Sequence, residues 1–370
     1  MKYGIGIIIL TLFVSTVAQS GNIANVPHNF TSGTPARASD VNDNFEALRE
    51  QTDDNANRIA ATFSGNGSAG DLTVSGPIDW AASNNLNFRN VLIEAGQTFI
   101  VPAGTVIKCS GNFVNNGSIF VGFQQNAGNL FFASEHGRMK NRLPGRGDSS
   151  RAAGQPEAAT ASDLILTGAA YGFGINKIVA ASSFNQLRLG GGGGSGAHNS
   201  AGGGGEGGNG GGVVKIYCAG SITNNGTISA FGENAEAGAG GGGGGGIVVL
   251  ASMTSVTNDL GTIDVKGGNG ATADSNSGIG GGGGGGIVVM VAPSISNTGN
   301  TYVTGGTTAS TPILGSVDEL VHSAGGAGGA SGGNGGRGGN ISNLNIALPG
   351  TAGDDGYVIE IKDNPVYHMN

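Results

Sequence analysis

The sequence Gly-Gly-Gly-Gly-Gly-Gly-Gly-Ile-Val-Val occupies residues 240–249 and recurs letter for letter at residues 280–289. A flexible linker would not need the apolar residues that follow each run. Bare glycine backbones can pack side by side as extended helices with three residues per turn, in which each N–H and C=O bonds to a neighbouring chain. The apolar residues 247–250 then predict a buried β-strand.

The glycine run belongs to a larger repeat of glycine run, apolar strand, polar turn, second strand and loop. Its copies span residues 210–234, 240–269 and 280–307, with predicted strands at 213–217, 247–250 and 287–291 and a closing strand at 357–361. An earlier copy of the strand-and-turn part, residues 109–119, aligns without gaps with residues 218–228. Internal repetition of this kind predicts a repeat architecture.

Short β-type runs bounded by turn residues also precede the repeats, at residues 72–74, 91–93, 98–101 and 105–107. Strands so short and so closely spaced are typical of a β-solenoid or a sandwich. We therefore predict an all-β chain, a repetitive β-solenoid or sandwich-like domain with packed polyglycine II helices, preceded by one short N-terminal helix.

That helix is predicted at residues 39–50. Ser39 or Asp40 can cap its start, and Val41, Phe45 and Leu48 fall on one face, which Ile59 extends. Two interpretations stay open: an oligomerising or docking stalk, or a spacer helix that lies on the domain.

Four regions follow from these patterns: a signal peptide at 1–20, an N-terminal segment with the helix at 21–62, β-rungs with a long polar insertion at 63–188, and the glycine-rich repeats at 189–370. Lys2, the apolar residues 5–17 and the small-x-small site at 18–20 are typical of a secretory signal. No later stretch is apolar enough to span a membrane. We expect a secreted or cell-surface location.

Cys109 and Cys218 occupy equivalent repeat positions in this exported chain. Stacked strands would bring their Cα atoms to ~4.8 Å, inside the range of a disulfide. A Cys109–Cys218 bond and two buried free thiols are both compatible with the pattern.

The triplets Asn-Asn-Gly at 115–117 and 224–226 predict tight turns with left-handed backbone. They also create N-glycosylation patterns at Asn116 and Asn225. Because both triplets recur at the same repeat position, we favour the turn.

The sequence offers little catalytic chemistry. The five histidines have no metal-type spacing, and a single G-x-S-x-G match around Ser331 lies inside a glycine run without the strand and helix of a nucleophile elbow. We expect that the chain is not an enzyme and that it has no catalytic residue, metal or cofactor. A net charge of −8 with 17 Lys and Arg also predicts no nucleic-acid partner. Arg146, Gly147 and Asp148 match an integrin-binding tripeptide, which chance also explains.

With about three times the average share of glycine, residues 189–361 resemble polyglycine-helix adhesins that cap some phage tail fibres, and glycine-rich repeat proteins of bacterial surfaces. The glycine-rich runs at 190–194, 202–212, 238–246, 278–286 and 325–339 carry the resemblance. It implies a core of glycine helices and loops that contact a receptor. The signal peptide departs from the phage proteins and favours an exported bacterial protein. Residues 33–50 resemble a short element that precedes many exported repeat and tail-fibre-like proteins.

Three functions remain: a surface adhesin or matrix component, an ice-binding protein, and a β-solenoid enzyme acting on polysaccharide. Irregular repeat lengths count against the second, and a single tryptophan, Trp80, against the third. We favour binding of a cell-surface or matrix carbohydrate or protein through loop tips. The candidate residues are Phe231, Glu233, Asn234, Asn269, Asp274 and Asn276, with the segment 311–322.

Overall fold

A computed structural model describes residues 26–76, 78–79, 86–122, 176–182, 184, 187, 207–235, 239–272, 279–309, 328–339 and 349–368. The chain divides into two units, one ending at Ile59 and one beginning at Ala60. Outside the described residues lie the predicted signal peptide, the tripeptide at 146–148, Trp80, Asp274, Asn276 and the segment 311–322.

The helix α1 spans Ala38–Ser64 and is more than twice as long as predicted. Ser39 and Asp40 lie inside it, so neither caps its start. Residues 51–58 are rich in Asp, Asn and Thr, which have low helix propensity and hide the second half of the helix from a local pattern. Its last turn belongs to the second unit, where Phe63 stacks on Tyr217 with ring centroids 5.3 Å apart.

The described part of the chain contains eighteen strands in three six-stranded parallel sheets. Sheet A is built, in spatial order, from β1 Leu72–Val74, β4 Val91–Ile93, β7 Phe113–Asn115, β10 Ile222–Asn224, β13 Ser255–Thr257 and β16 Ser294–Ser296. Sheet B is built from β2 Ile78–Asp79, β5 Thr98–Pro102, β8 Ser118–Gly122, β11 Thr227–Ser229, β14 Thr262–Asp264 and β17 Asn300–Tyr302. Sheet C is built from β3 Asn87–Phe88, β6 Thr105–Cys109, β9 Val213–Cys218, β12 Ile247–Ser252, β15 Ile287–Val291 and β18 Tyr357–Ile361. A short helix α2, Lys177–Ser182, and a 3₁₀ turn, Pro365–His368, complete the described elements.

Three successive strands, one in each sheet, form what we call a rung, and each strand pairs with the strand three places further along the chain. The predicted repeat alignment is confirmed by this register, which pairs Phe113 with Ile222 and Ser118 with Thr227. The sheets also run across the predicted boundary at 188/189, because β6 pairs with β9. The fold is thus sheet-rich and parallel, with a helix at its N-terminal end.

The core follows from the strand sequences. Alternate residues of the short strands, such as Ile93, Phe99 and Phe113, point into one fully buried cluster. In sheet C, β15 is instead apolar on both faces, and every residue of β9, β12 and β15 is buried, including Lys215 of β9. Their second face packs in a separate cluster that includes Phe63, Ala180, Phe184 and Leu187.

The glycine runs belong to long connections between the sheet B and sheet C strands of the last four rungs. Outgoing segments leave β11, β14 and β17 at 230–235, 265–272 and 303–309. Returning segments enter β12, β15 and β18 at 240–246, 279–286 and 349–356, and residues 207–212 enter β9. The loops predicted at the end of each repeat are therefore parts of long connections that leave sheet B and return to sheet C. We call each of these connections a glycine excursion.

Amides of the returning segment 282–286 donate in three directions with a three-residue repeat. Gly282 and Gly285 bond to the next returning segment, Gly283 and Gly286 to an outgoing segment, and Gly284 to Gly329. A Cβ added at Gly243 would lie 1.9 Å from the Asn209 carbonyl oxygen. Because Gly243 does not have left-handed backbone, this close approach is what requires glycine there.

Buried asparagines form a ladder along the turn between sheets A and B. Asn115 Nδ2 donates to Asn224 Oδ1 at 2.7 Å, Asn224 Nδ2 to Asn258 Oδ1 at 2.7 Å, and Asn258 Nδ2 to Asn297 Oδ1 at 2.9 Å. Each amide in the chain of bonds is thus satisfied by the next rung.

The predicted left-handed backbone of the Asn-Asn-Gly triplets was wrong, since neither Gly117 nor Gly226 adopts it. Glycine is needed instead because the turns stack closely, and a Cβ at Gly226 would lie 1.9 Å from the Gly117 carbonyl oxygen. The exposed Asn225 donates its amide to Asn116 Oδ1 at 2.9 Å. The second asparagines therefore pair with one another at the surface.

Candidate binding surface

The outward side of sheet B carries side chains in straight columns across the rungs. One column contains, in paired register, Thr98, Ser118, Thr227, Thr262 and Asn300. Parallel strands lie ~4.8 Å apart, so each column repeats at that spacing. The repeats differ in length, but the pairing register of the strands stays constant because the extra residues lie in the glycine excursions.

Beyond the strands, the outgoing segments change from a period of two to a period of three. Phe231 and Asn234 are exposed on the first segment, Lys266 and Asn269 face outward on the second, and Thr304 and Thr307 are exposed on the third. The segments keep the register of sheet B, since the Gly232 amide bonds to the Lys266 carbonyl and the Gly267 amide to the Thr304 carbonyl. Outward side chains therefore form two rows along the stack of rungs.

We call the space between these rows the outer trough. Its first row is Phe231, Lys266 and Thr304, its second row is Asn234, Asn269 and Thr307, and its floor is residues 232–233, 267–268 and 305–306. Glycines occupy five of the six floor positions. A Cβ at Gly267 would point inward, 2.1 Å from the Gly283 carbonyl oxygen, so close packing excludes a side chain at this floor position.

The second row is a hydrogen-bonded series. The Asn269 amide N–H donates to Asn234 Oδ1 at 2.7 Å, and the Thr307 amide and hydroxyl donate to Asn269 Oδ1 at 2.8 and 2.9 Å. Each asparagine uses its side-chain oxygen on the next segment. Within the described part of the chain, the Nδ2 groups of Asn234 and Asn269 have no hydrogen-bond partner.

Aromatic rings border the first row. Phe231 is 38% exposed and makes an edge contact with Phe120, with ring centroids 6.0 Å apart. Lys266 Nζ lies 5.1 Å from the centre of the Tyr302 ring, which is 42% exposed, and 3.1 Å from Asp264 Oδ2. The lysine charge is thus shared between a carboxylate and a ring face.

Three of the predicted binding residues, Phe231, Asn234 and Asn269, lie together on the trough. Glu233 has a different environment, because its carboxylate accepts from Asn209 Nδ2 at 2.5 Å and its carbonyl accepts the Gly243 amide. Lys266, Tyr302, Thr304 and Thr307 were not among the binding residues predicted from the sequence. Spacing from Phe231 and Asn234 by the strand register would have located the two threonines and the lysine.

The two cysteines are register partners in β6 and β9 and are fully buried. Both are free thiols in this structure. Burial raises the pKa of the Cys218 thiol well above its ordinary value, and the neighbouring Cys109 thiol adds to the shift. Their bond stays a prediction, which is compatible with the register that places the two residues side by side on adjacent strands.

Other chemistry is sparse in the described residues. No group of three His, Cys, Asp or Glu residues among them could hold a metal ion. Ser331 of the G-x-S-x-G match is buried, residues 328–330 before it do not form a strand, and its hydroxyl has no partner within the described part of the chain. On α1, the side chains of Phe45, Leu48 and Ile59 are exposed, and the oligomerising stalk stays a prediction.

No helix in the described part of the chain has the length and apolar character that crossing a membrane requires. Comparisons with protein-family models, with curated proteins and with solved structures each give no match to this chain. The function proposed below therefore depends on the residues of this chain alone.

Proposed function

We propose that this chain is an exported structural and adhesive protein that binds a cell-surface or matrix ligand through the outer trough, without catalysis. One observation carries the proposal: side chains that face solvent recur every third residue on three adjacent glycine segments, in constant register. The inward positions of a packed glycine backbone cannot carry side chains. Recognition of a ligand must therefore depend on these outward side chains. The signal-like residues 1–20 support a secreted or cell-surface location.

The finer architecture that we propose is a β-solenoid with a polyglycine II corner. Parallel pairing of every third strand favours a solenoid over a sandwich, which is built from antiparallel strands. Amides that donate to three neighbours in a three-residue repeat are what bundled threefold glycine helices require. In this arrangement the glycine segments hold the trough rigid for binding.

A cell-binding assay with the purified mature chain tests the function. Shortening the outgoing segments would remove the carbonyl partners of Gly243 and Gly246, so side-chain substitutions are the sharper tool. The triple variant Phe231→Ser, Asn234→Ala, Asn269→Ala should lose most cell binding and keep its circular dichroism. Asn116→Ala with Asn225→Ala, an exposed pair at the turn between sheets A and B, is the matched control and should bind normally.

Equal binding by the triple variant and the wild type would refute the trough as the adhesive surface. Turnover of any bound glycan or peptide by the wild-type chain would refute the absence of catalysis. Retention of the protein inside cells would contradict the proposed location.

A second candidate is ice binding, which one observation on sheet A favours. Thr223, Thr257 and Ser296 form one register column on its outward side, and Ser255 and Ser294 form part of another. These hydroxyls repeat regularly although the repeats differ in length. Irregular repeat length, which counted against ice binding in the sequence, is therefore no argument against a regular face. Thermal hysteresis that disappears in Thr223→Ala with Thr257→Ala would establish this function, and its absence in the wild-type chain would exclude it.

A further inference from the structure

We infer that the outer trough binds a linear, uncharged polysaccharide whose chain runs along the stack of rungs. The inference rests on the proposed function and names the chemical class of its ligand. It follows from the shape, the donors and the charge of the trough.

The shape fits one extended chain. Three residues of extended glycine backbone separate the two rows, a distance of about 9 Å at ~3.1 Å per residue. Members of each row repeat at ~4.8 Å along the stack. Because the floor carries almost no side chains, a flat chain of sugar rings can lie between the rows in contact with backbone.

The donors fit a ligand with a repeated set of oxygens. Asn234 and Asn269 present their Nδ2 groups one segment apart, and their own oxygens are already used on the neighbouring segment. Two fixed amide donors at this spacing match the hydroxyl and ether oxygens of successive sugars. Phe231, exposed in the opposite row, offers a ring against which the C–H face of a sugar can pack.

The charge of the trough excludes a polyanion. Lys266 is its only charged row residue, and Asp264 pairs with that charge at 3.1 Å. The whole chain carries a formal net charge of −8, which repels acidic polymers. An uncharged ligand avoids both the repulsion and the loss of the ion pair.

An extended peptide is a poorer fit. Peptides that add to a sheet bond through a free backbone edge. In the floor, the amides of Gly232, Gly267, Gly268 and Gly306 already donate to neighbouring segments. Recognition must therefore use side chains, which favours a ligand rich in hydroxyl groups.

Affinity measurements on the purified mature chain test the inference. The probes are a soluble β-glucan, a mannan and a galactan as uncharged polysaccharides, hyaluronate as a polyanion, and an unfolded hydrophilic peptide. We expect at least one uncharged polysaccharide to bind, with affinity that rises with oligosaccharide length over the first few sugars. Asn234→Ala with Asn269→Ala should weaken that binding about tenfold, since two hydrogen bonds are lost.

Phe231→Ala should weaken binding independently of the asparagines, and Asn116→Ala with Asn225→Ala, an exposed pair at the turn between sheets A and B, should leave it unchanged. Unaltered affinity in both trough variants would overturn the assignment of the site. Binding of hyaluronate or of the peptide in preference to every uncharged polysaccharide would overturn the ligand class.

Periodate treatment of the target cells separates this inference from the proposed function. Periodate cleaves the vicinal diols of sugars, so adhesion should disappear if the ligand is a polysaccharide with such diols. Adhesion that survives both periodate and the hydrolase specific for whichever polysaccharide binds in the affinity measurements, but is lost in the trough variants, would keep the proposed function and overturn the inference. Failure of the untreated cells to bind the wild-type chain would overturn the proposed function itself.

Discussion

The early rungs and the glycine excursions are packed by different means. Between β4 and β8, side chains such as Phe99, Phe113 and Ile119 fill the interior. Along residues 242–246 and 280–286, backbone meets backbone, and an added Cβ would overlap neighbouring carbonyl groups. A side-chain core tolerates exchanges of similar volume, whereas a backbone core tolerates no side chain at all. Variation is thereby confined to outward positions, where the trough lies.

The largest effect should come from adding side chains to the backbone core. Cβ atoms at Gly243 and Gly283 would lie 1.9 and 2.0 Å from carbonyl oxygens. Gly243→Val with Gly283→Val should therefore yield no soluble folded protein. Gly76→Val is the matched control, since nothing lies within 4 Å of its Cβ position. Normal yield and unchanged circular dichroism in the double variant would contradict the backbone core.

The second effect concerns the junction between the two kinds of packing. Cys109 and Cys218 pair β6 with β9 across the long insertion. We expect the exported protein to link them, and the bond should stabilise it by about 4–5 kcal/mol, because it closes a loop of about 100 residues in the unfolded chain. Peptide mapping without reductant should recover the linked pair. Alkylation of both thiols in unreduced, denatured protein would exclude the bond.

The third effect lies in the asparagine ladder of the side-chain core. Asn224→Ala should lower the free energy of unfolding by about 2–4 kcal/mol, because the Asn115 amide and the Asn258 carbonyl each lose a buried partner. Asn225→Ala, at the exposed neighbouring position, should cost less than about 0.5 kcal/mol. Denaturant unfolding compares the two. Equal costs would show that the ladder does not stabilise the rungs.

The smallest effect is a pH dependence at the first rung. Hydrogen bonds from Arg89 and Asn90 hold the pKa of Asp71 below its usual range. A carboxyl group whose pKa is lower in the folded state stabilises above its unfolded pKa of about 3.9 and loses that contribution as the pH falls. Asp71→Asn should therefore flatten the acid side of the stability curve slightly. An unchanged acid limb would contradict the role of this exposed pair.

Local sequence predicted at least one strand in every rung, because an apolar run rich in β-branched residues marks it, whereas short strands such as Ile78–Asp79 and Asn87–Phe88 were not predicted. The predicted bounds of Ile287–Val291 and Tyr357–Ile361 coincide with the strands observed. The second half of α1 was not predictable in this way, since Phe63 holds its end through a tertiary contact with Tyr217. The turn geometry failed for a related reason: Gly117 is required by a neighbouring rung and not by its own backbone angles.

The binding surface was predictable only in part. Phe231 and Asn234 stand out as non-glycine residues beside a glycine run, but Glu233 stands out equally and pairs with Asn209. The three-residue period of the outward side chains can be recognised only when the register places Asn234 beside Asn269 and Asn269 beside Thr307. That register depends on strands some thirty to forty residues apart along the chain, which a local pattern does not contain.

Amide hydrogen exchange tests the backbone core most directly. If residues 242–246 and 282–286 are packed through their backbones, their amides should exchange as slowly as those of Val248 and Val288 in the adjoining strands. Gly76 and Gly96, whose surroundings are open, should exchange much faster in the same sample. Exchange of the glycine runs at the rate of these open glycines would show that they are linkers, and would contradict the account.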